Sequence, residues 1–185
     1  MSARIERLGF EQLAPGVQYV LRSKYERLGY LGEFFQVTGV QPVVLTSFME
    51  MTDALKVALP EHLTELGALT VATLMENRYE LHQHERLSKR LGFGEAWIAA
   101  VEQADPDVAP ELSDAERDVQ RLIIAMLRRR GKDVQAELDK TIEAIGAEQA
   151  IAVMFLVGRY VTHALIVNSL DLQPPVPSIF DRTVK

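Results

Sequence analysis

Apolar residues in this chain recur three and four positions apart, and no stretch sustains the strict alternation that a half-buried strand requires. The pattern predicts an all-α protein of about seven to eight helices. Val17, Val20, Leu21, Tyr25 and Leu28 line one side of a first helix over 17–28, which Gly29 and Gly32 interrupt before Phe34 and Phe35. Pro42 suits a first helical turn, and Val44, Leu45, Phe48, Met49, Thr52 and Leu55 carry the next helix toward Leu59 and Pro60. Pro60 and Glu61 open another, striped by Leu63, Leu66, Leu69, Thr70, Thr73 and Leu74, with the acidic residue at the positive end of the helix dipole. Asn77 and Glu80 form a capping-box pattern that starts a helix at Arg78, and Gly92 closes it after Leu81, His84, Leu87, Ser88 and Leu91.

Beyond a short helix over 94–103, residues 104–110 are a linker by composition. Ser113 and Glu116 make a second capping box ahead of Val119, Leu122, Ile123, Met126 and Leu127, and the basic run Arg128, Arg129, Arg130 before Gly131 suits a helix C-terminus. Helices over 133–145 and 147–170 follow, divided by Gly146. Pro174, Pro175 and Pro177 keep the tail out of any helix, and it is expected to lie as an extended strap on its own subunit or a neighbour, with Ile179 and Phe180 as candidate anchors. The organisation is thus an N-terminal helical arm over 1–40, a helical domain over 41–172 and an extended tail over 173–185.

Residues 149–170 are apolar enough to raise the question of a membrane span, but Arg159 sits near the middle, where insertion costs about 2.5 kcal/mol or more. A helix covered by protein, in the core or at a subunit contact, is the better expectation. At 185 residues, with 48% hydrophobic and 25% charged, the chain is sized for one globular domain. Its net charge of −6 argues against nucleic acid or an anionic membrane as partner. Zero cysteines remove thiol nucleophiles, dithiol redox chemistry and thiolate metal sites together. The N-terminal residues carry no secretory pattern, so a cytoplasmic location is expected. No phosphate loop, nucleophile elbow or dinucleotide fingerprint occurs, and no cofactor is expected.

Among the four histidines, His82 and His84 lie about 200° apart on a helix and cannot share a site. His84 follows Glu80 by one turn, which brings an acid and an imidazole to one face with Cβ atoms about 6 Å apart. Such a pair can move protons, or it can simply cement a helix face. Glu65 interrupts an otherwise apolar row and is either exposed or functional. Metal binding by Glu65, Glu80 and His84 is chemically possible, yet no established ligand spacing is present and no metal is expected.

The run Tyr79-Glu80-Leu81-His82-Gln83-His84-Glu85, followed by Leu87-Ser88 and Leu91-Gly92-Phe93, resembles the central motif of the carboxymuconolactone decarboxylase family. The resemblance extends to Glu65 and Asn77 upstream and to Leu156-Val157-Gly158-Arg159-Tyr160 and Asn168 downstream, spanning about 42–174. It implies an alkylhydroperoxidase D-like helical bundle assembled as a homotrimer or hexamer. Where the peroxidase branch of that superfamily carries a Cys-x-x-Cys pair, this chain has Asn77 and Glu80, so no thiol peroxidase activity is implied. The resemblance places the catalytic residues at His84, Glu80, Glu65 and Tyr79. His84 would be the acid or base, Glu80 its tuning partner, Glu65 a second carboxylate and Tyr79 a donor to substrate oxygen. Arg78, Arg159 and Asn77 would bind a small organic acid or lactone, with decarboxylation or isomerisation as the reaction. The alternative is a small-molecule-binding or assembly protein of the same fold without catalysis.

Overall fold

The computed structural model describes residues 5–181, within which all regular structure is helical, in nine α-helices and two 3₁₀ turns. The helices are α1 (Pro15–Leu28), α2 (Glu33–Thr38), α3 (Pro42–Ala58), α4 (Glu61–Leu74), α5 (Arg78–Arg90), α6 (Glu95–Gln103), α7 (Asp114–Arg129), α8 (Gln135–Ile145) and α9 (Ala147–Ser169). Proline and glycine punctuate them as expected. Pro15 and Pro42 occupy first turns, Pro60 caps α4, and Gly29 ends α1 at φ +74°, a conformation that side chains resist. The additional helix is α2, six residues long and too short to show a stripe. Burial of Phe34 and Val37 and a bond from the Thr38 hydroxyl to the Phe34 carbonyl hold it.

Ser113 and Glu116 form the complete reciprocal box before α7. The box expected at α5 is only half made. Asn77 Oδ1 accepts the Glu80 N–H at 3.2 Å, but the Glu80 carboxylate does not turn back, because Arg159 and His163 hold it.

Helix α4 is the axis of the molecule. Every residue from Leu63 to Ala72 is buried, since α5, α6, α7 and α9 cover it from all sides. Its approach to α9 is close at Gly67, where an added Cβ would stand 2.5 Å from Leu156. Helix α9 has the length and hydropathy of a membrane span, and its inner face, Arg159 and His163 included, is buried against protein.

Beside a small cluster around Leu122, two large hydrophobic clusters share the structure. One joins Leu66, Leu69, Ile98, Ile123, Leu156 and Tyr160, and the other joins Phe10, Leu21, Phe34, Met49, Tyr79 and Val167. The first forty residues therefore supply α1 and α2 to the second cluster. The described part of the tail lies along α5 of its own chain: His82 Nδ1 bonds the Val176 carbonyl at 3.1 Å, and buried Glu85 accepts from the Ser178 hydroxyl and the Ile179 N–H. Ile179 packs on the first cluster, whereas Phe180 is 40% exposed and belongs to neither cluster among the described residues.

Candidate active site

Between these two clusters opens a cleft of about 1330 Å³, walled by α1, α2, α3, α4, α5 and α9 and by the tail residues Val176–Ile179 and Asp181. Capping fixes the rotation of α5, so that His84 and Glu80, one turn apart, both face α4 and α9. Glu65 comes from α4. Its Oε2 accepts the His84 Nδ1–H at 2.8 Å and the Ser88 hydroxyl at 3.2 Å. On the other side of the ring, Tyr160 of α9 stands 3.1 Å from His84 Nε2, edge-on to the imidazole. With Nδ1 carrying the hydrogen toward Glu65, Nε2 accepts from the Tyr160 hydroxyl. The result is an acid, imidazole and phenol in line.

Burial opposes a charge on His84, but the Glu65 carboxylate, through charge and hydrogen bond, and then Glu80 outweigh it and raise its pKa above 6.5. Burial drives the Tyr160 phenol well above its ordinary range, so it stays protonated and acts as a donor.

A second network meets the first at Glu80, whose Oε2 is 3.7 Å from His84 Nε2. Its Oε1 receives Arg159 Nη1 at 3.2 Å and His163 Nε2 at 3.1 Å. Asn77 Nδ2 donates to His163 Nδ1 at 3.3 Å, which leaves the ring hydrogen on Nε2, pointing at Glu80. Burial brings the His163 pKa down to about 3, so at neutral pH the ring is an uncharged donor. Burial also resists ionisation of Glu80, yet its surroundings hold it well below the usual carboxylate range. With His163 neutral, that work falls to Arg159, to His84 when protonated, and to Lys24. Arg159 Nε donates to Thr52, and the guanidinium stacks 4.3 Å from the Tyr160 ring and 4.8 Å from Phe48.

Glu65, Tyr79, Glu80, His84 and Arg159 all line the cleft. The carboxylate that grips His84 is Glu65 rather than Glu80, because Glu80 is committed to α9. Tyr79 uses its hydroxyl to accept the Phe34 N–H at 3.3 Å, tying α5 to α2. Asn77 lies behind the cleft as a cap and a prop for His163. Arg78 is exposed and outside the cleft, since the first turn of α5 turns it to the opposite face. The residues not anticipated are Tyr160 and His163 as site groups, Thr52 and Lys24. One signal was available: Arg159, Tyr160 and His163 form a polar arc in an otherwise apolar helix, which demands buried partners.

Among the described residues no group of three or more His, Asp or Glu side chains is placed to hold a metal. In the cluster itself, both nitrogens of His84 and of His163 are engaged by protein groups.

No protein-family model matches the chain, and no curated protein matches it in sequence. Solved structures do match in shape. The debrominase Bmp8 in its apo form superposes with a TM-score of 0.79 at 16% identity, over 94% of this chain and 93% of that one. The alkylhydroperoxidase AhpD core of an uncharacterized peroxidase-related protein from Ralstonia eutropha JMP134 gives 0.78 at 13% identity, over 94% of each chain. The fold is alkylhydroperoxidase D-like. A cysteine-to-alanine form of Bmp8 in complex with 2,3,4-tribromopyrrole gives 0.77 at 16% identity, over 94% of this chain and 92% of that one. In the present alkylhydroperoxidase D-like chain there is no cysteine, so whatever chemistry the cleft performs is done without a thiol.

Proposed function

We propose that this protein is a cofactor-free acid–base enzyme, akin to carboxymuconolactone decarboxylase, that moves a proton on a small organic acid or lactone. The observation that carries this reading is His84 held between Glu65 at 2.8 Å and Tyr160 at 3.1 Å on the wall of the cleft. Glu65 orients the ring and favours the imidazolium once a proton arrives, while Tyr160 presents its O–H to a substrate oxygen or passes a proton through to Nε2. Arg159 supports an anionic substrate. Among the described residues its Nη2 makes no hydrogen bond, while Nε and Nη1 are held by Thr52 and Glu80. The charge of the cleft agrees, with seven lysine or arginine side chains lining it against four carboxylates.

The test is proton exchange in D₂O. Lactones and keto acids incubated with the protein are followed by proton NMR for loss of the signal next to the carbonyl and for carbon dioxide release. His84→Asn is expected to slow exchange by about 100-fold or more. Ligand binding without exchange in the native protein would leave the fold a carrier and sink the enzyme reading.

A homo-oligomer belongs to the same proposal. Ile151, Phe155 and Leu165 form an exposed apolar row on the outer face of α9, spaced as one helix presents residues to another. Light scattering is expected to give a trimer or hexamer that Phe155→Glu dissociates.

A further inference from the structure

Lys24, on α1, stands outside both hydrogen-bond networks and still lines the cleft. Its Nζ lies 5.0 Å from the centre of the Phe35 ring, so an apolar surface replaces much of the water an ammonium would choose. Two other lysines on the cleft, Lys56 and Lys89, are paired with Asp53 at 3.0 Å and Glu95 at 2.6 Å. Among the described residues Lys24 has no such partner. The charges facing it are mostly of its own sign: Arg159 from α9, Lys56 from α3 and Arg27 from α1, with Glu80 from α5 as the favourable one and His163 neutral. Burial first, then Arg159, bring its pKa down to about 8. At pH 7 about a tenth of the amine is unprotonated, roughly 300-fold more than for a solvated lysine. An amine desolvated beside a second cation is the usual way a lysine becomes a nucleophile near neutrality.

We propose that Lys24 is a catalytic nucleophile that condenses with the carbonyl of a small keto acid in this cleft. The inference rests on the acid–base reading of His84 and names its substrate class. The Nζ lone pair adds to the carbonyl carbon, and the carbonyl oxygen leaves as water after gaining two protons, which gives an iminium. With a β-keto acid, the bond to the carboxylate breaks, carbon dioxide departs and the electron pair moves into the iminium to form an enamine. The His84 imidazolium returns a proton to carbon through the Tyr160 hydroxyl, and the water released earlier is taken back to free the amine and the ketone. One keto-carboxylate and one proton enter, and one ketone and one carbon dioxide leave, with no oxidant or reductant.

The test is reductive trapping of the full chain with sodium cyanoborohydride and either pyruvate or acetoacetate, read by intact mass and peptide mapping. The expected result is one adduct per chain on Lys24, with trapping that climbs with pH to a plateau above about 8 and falls at least tenfold in Lys24→Arg. No adduct on the native protein, or adducts spread evenly over Lys24, Lys56, Lys89, Lys132 and Lys140, overturns the proposal whether or not the variant folds. His84→Asn separates the two readings. It is expected to keep the adduct and lose deuterium exchange. Exchange that depends on His84 without any Lys24 adduct defeats this inference alone, whereas a Lys24 adduct with exchange unchanged in His84→Asn defeats the acid–base reading alone.

Discussion

His84 and His163 face the same carboxylate, Glu80, and titrate in opposite directions, because His84 also meets Glu65 while the second nitrogen of His163 meets the amide of Asn77. The linkage signs differ accordingly. For His163, between the unfolded value near 6.5 and the native value near 3, the unfolded chain binds a proton that the native one refuses. Stability therefore falls as pH drops through that window, by at most about 1.4 kcal/mol per pH unit. For His84 the native pKa is the higher, so its contribution is complete below 6.5 and is lost as pH rises through the native value. Urea midpoints taken across pH at constant ionic strength should show both limbs. His163→Gln should flatten the acid limb and His84→Gln the one above 6.5. Arg159→Met leaves Glu80 buried beside one fewer cation and is expected to cost about 3–5 kcal/mol, much of it regained by adding Glu80→Gln, as denaturant unfolding of the single and double variants would show.

At the level of elements, the helices were legible because their signals are local. Pro42, Pro60, Asn77 and Ser113 begin helices through their own backbone and side-chain chemistry, and Gly29 ends one. The site was half legible for the same reason. The i, i+4 spacing of Glu80 and His84 declares a shared face, but Glu65 meets His84 across 19 positions, Tyr160 across 76 and Arg159 meets Glu80 across 79, and no periodicity reports a pairing between helices. Glu80 could not be foreseen to abandon its capping role, since that depended on where α9 would place Arg159. The crossing of α4 and α9 at Gly67 can be tested directly. Gly67→Ala gains helix propensity but drives a methyl into Leu156 in a full core, and a net loss of about 1–2 kcal/mol is expected from thermal or urea unfolding. The strap is held chiefly by Glu85, which is 1% exposed. Glu85→Ala should free residues 176–181 to exchange amide hydrogens faster by mass spectrometry and should raise KM more than it lowers kcat, since the tail walls the cleft while the hydrogen bonds of His84 go to Glu65 and Tyr160.

Taken whole, the molecule carries −6 and yet gathers an excess of cations around one cleft. Such an arrangement repels anions at long range and attracts them at the mouth, so binding of a carboxylate ligand should weaken as salt rises from about 50 to 500 mM, while a neutral lactone of similar size should be nearly indifferent. Isothermal titration at several ionic strengths reads the difference. The cleft also draws on nearly the full span of the chain, with Lys24 on one wall and Ile179 on another. During synthesis the helices precede the tail, so the pocket has no complete rim until residues 176–181 follow them and find Glu85. The rim is therefore acquired after the helices, and a nascent chain that already has them remains an open basin.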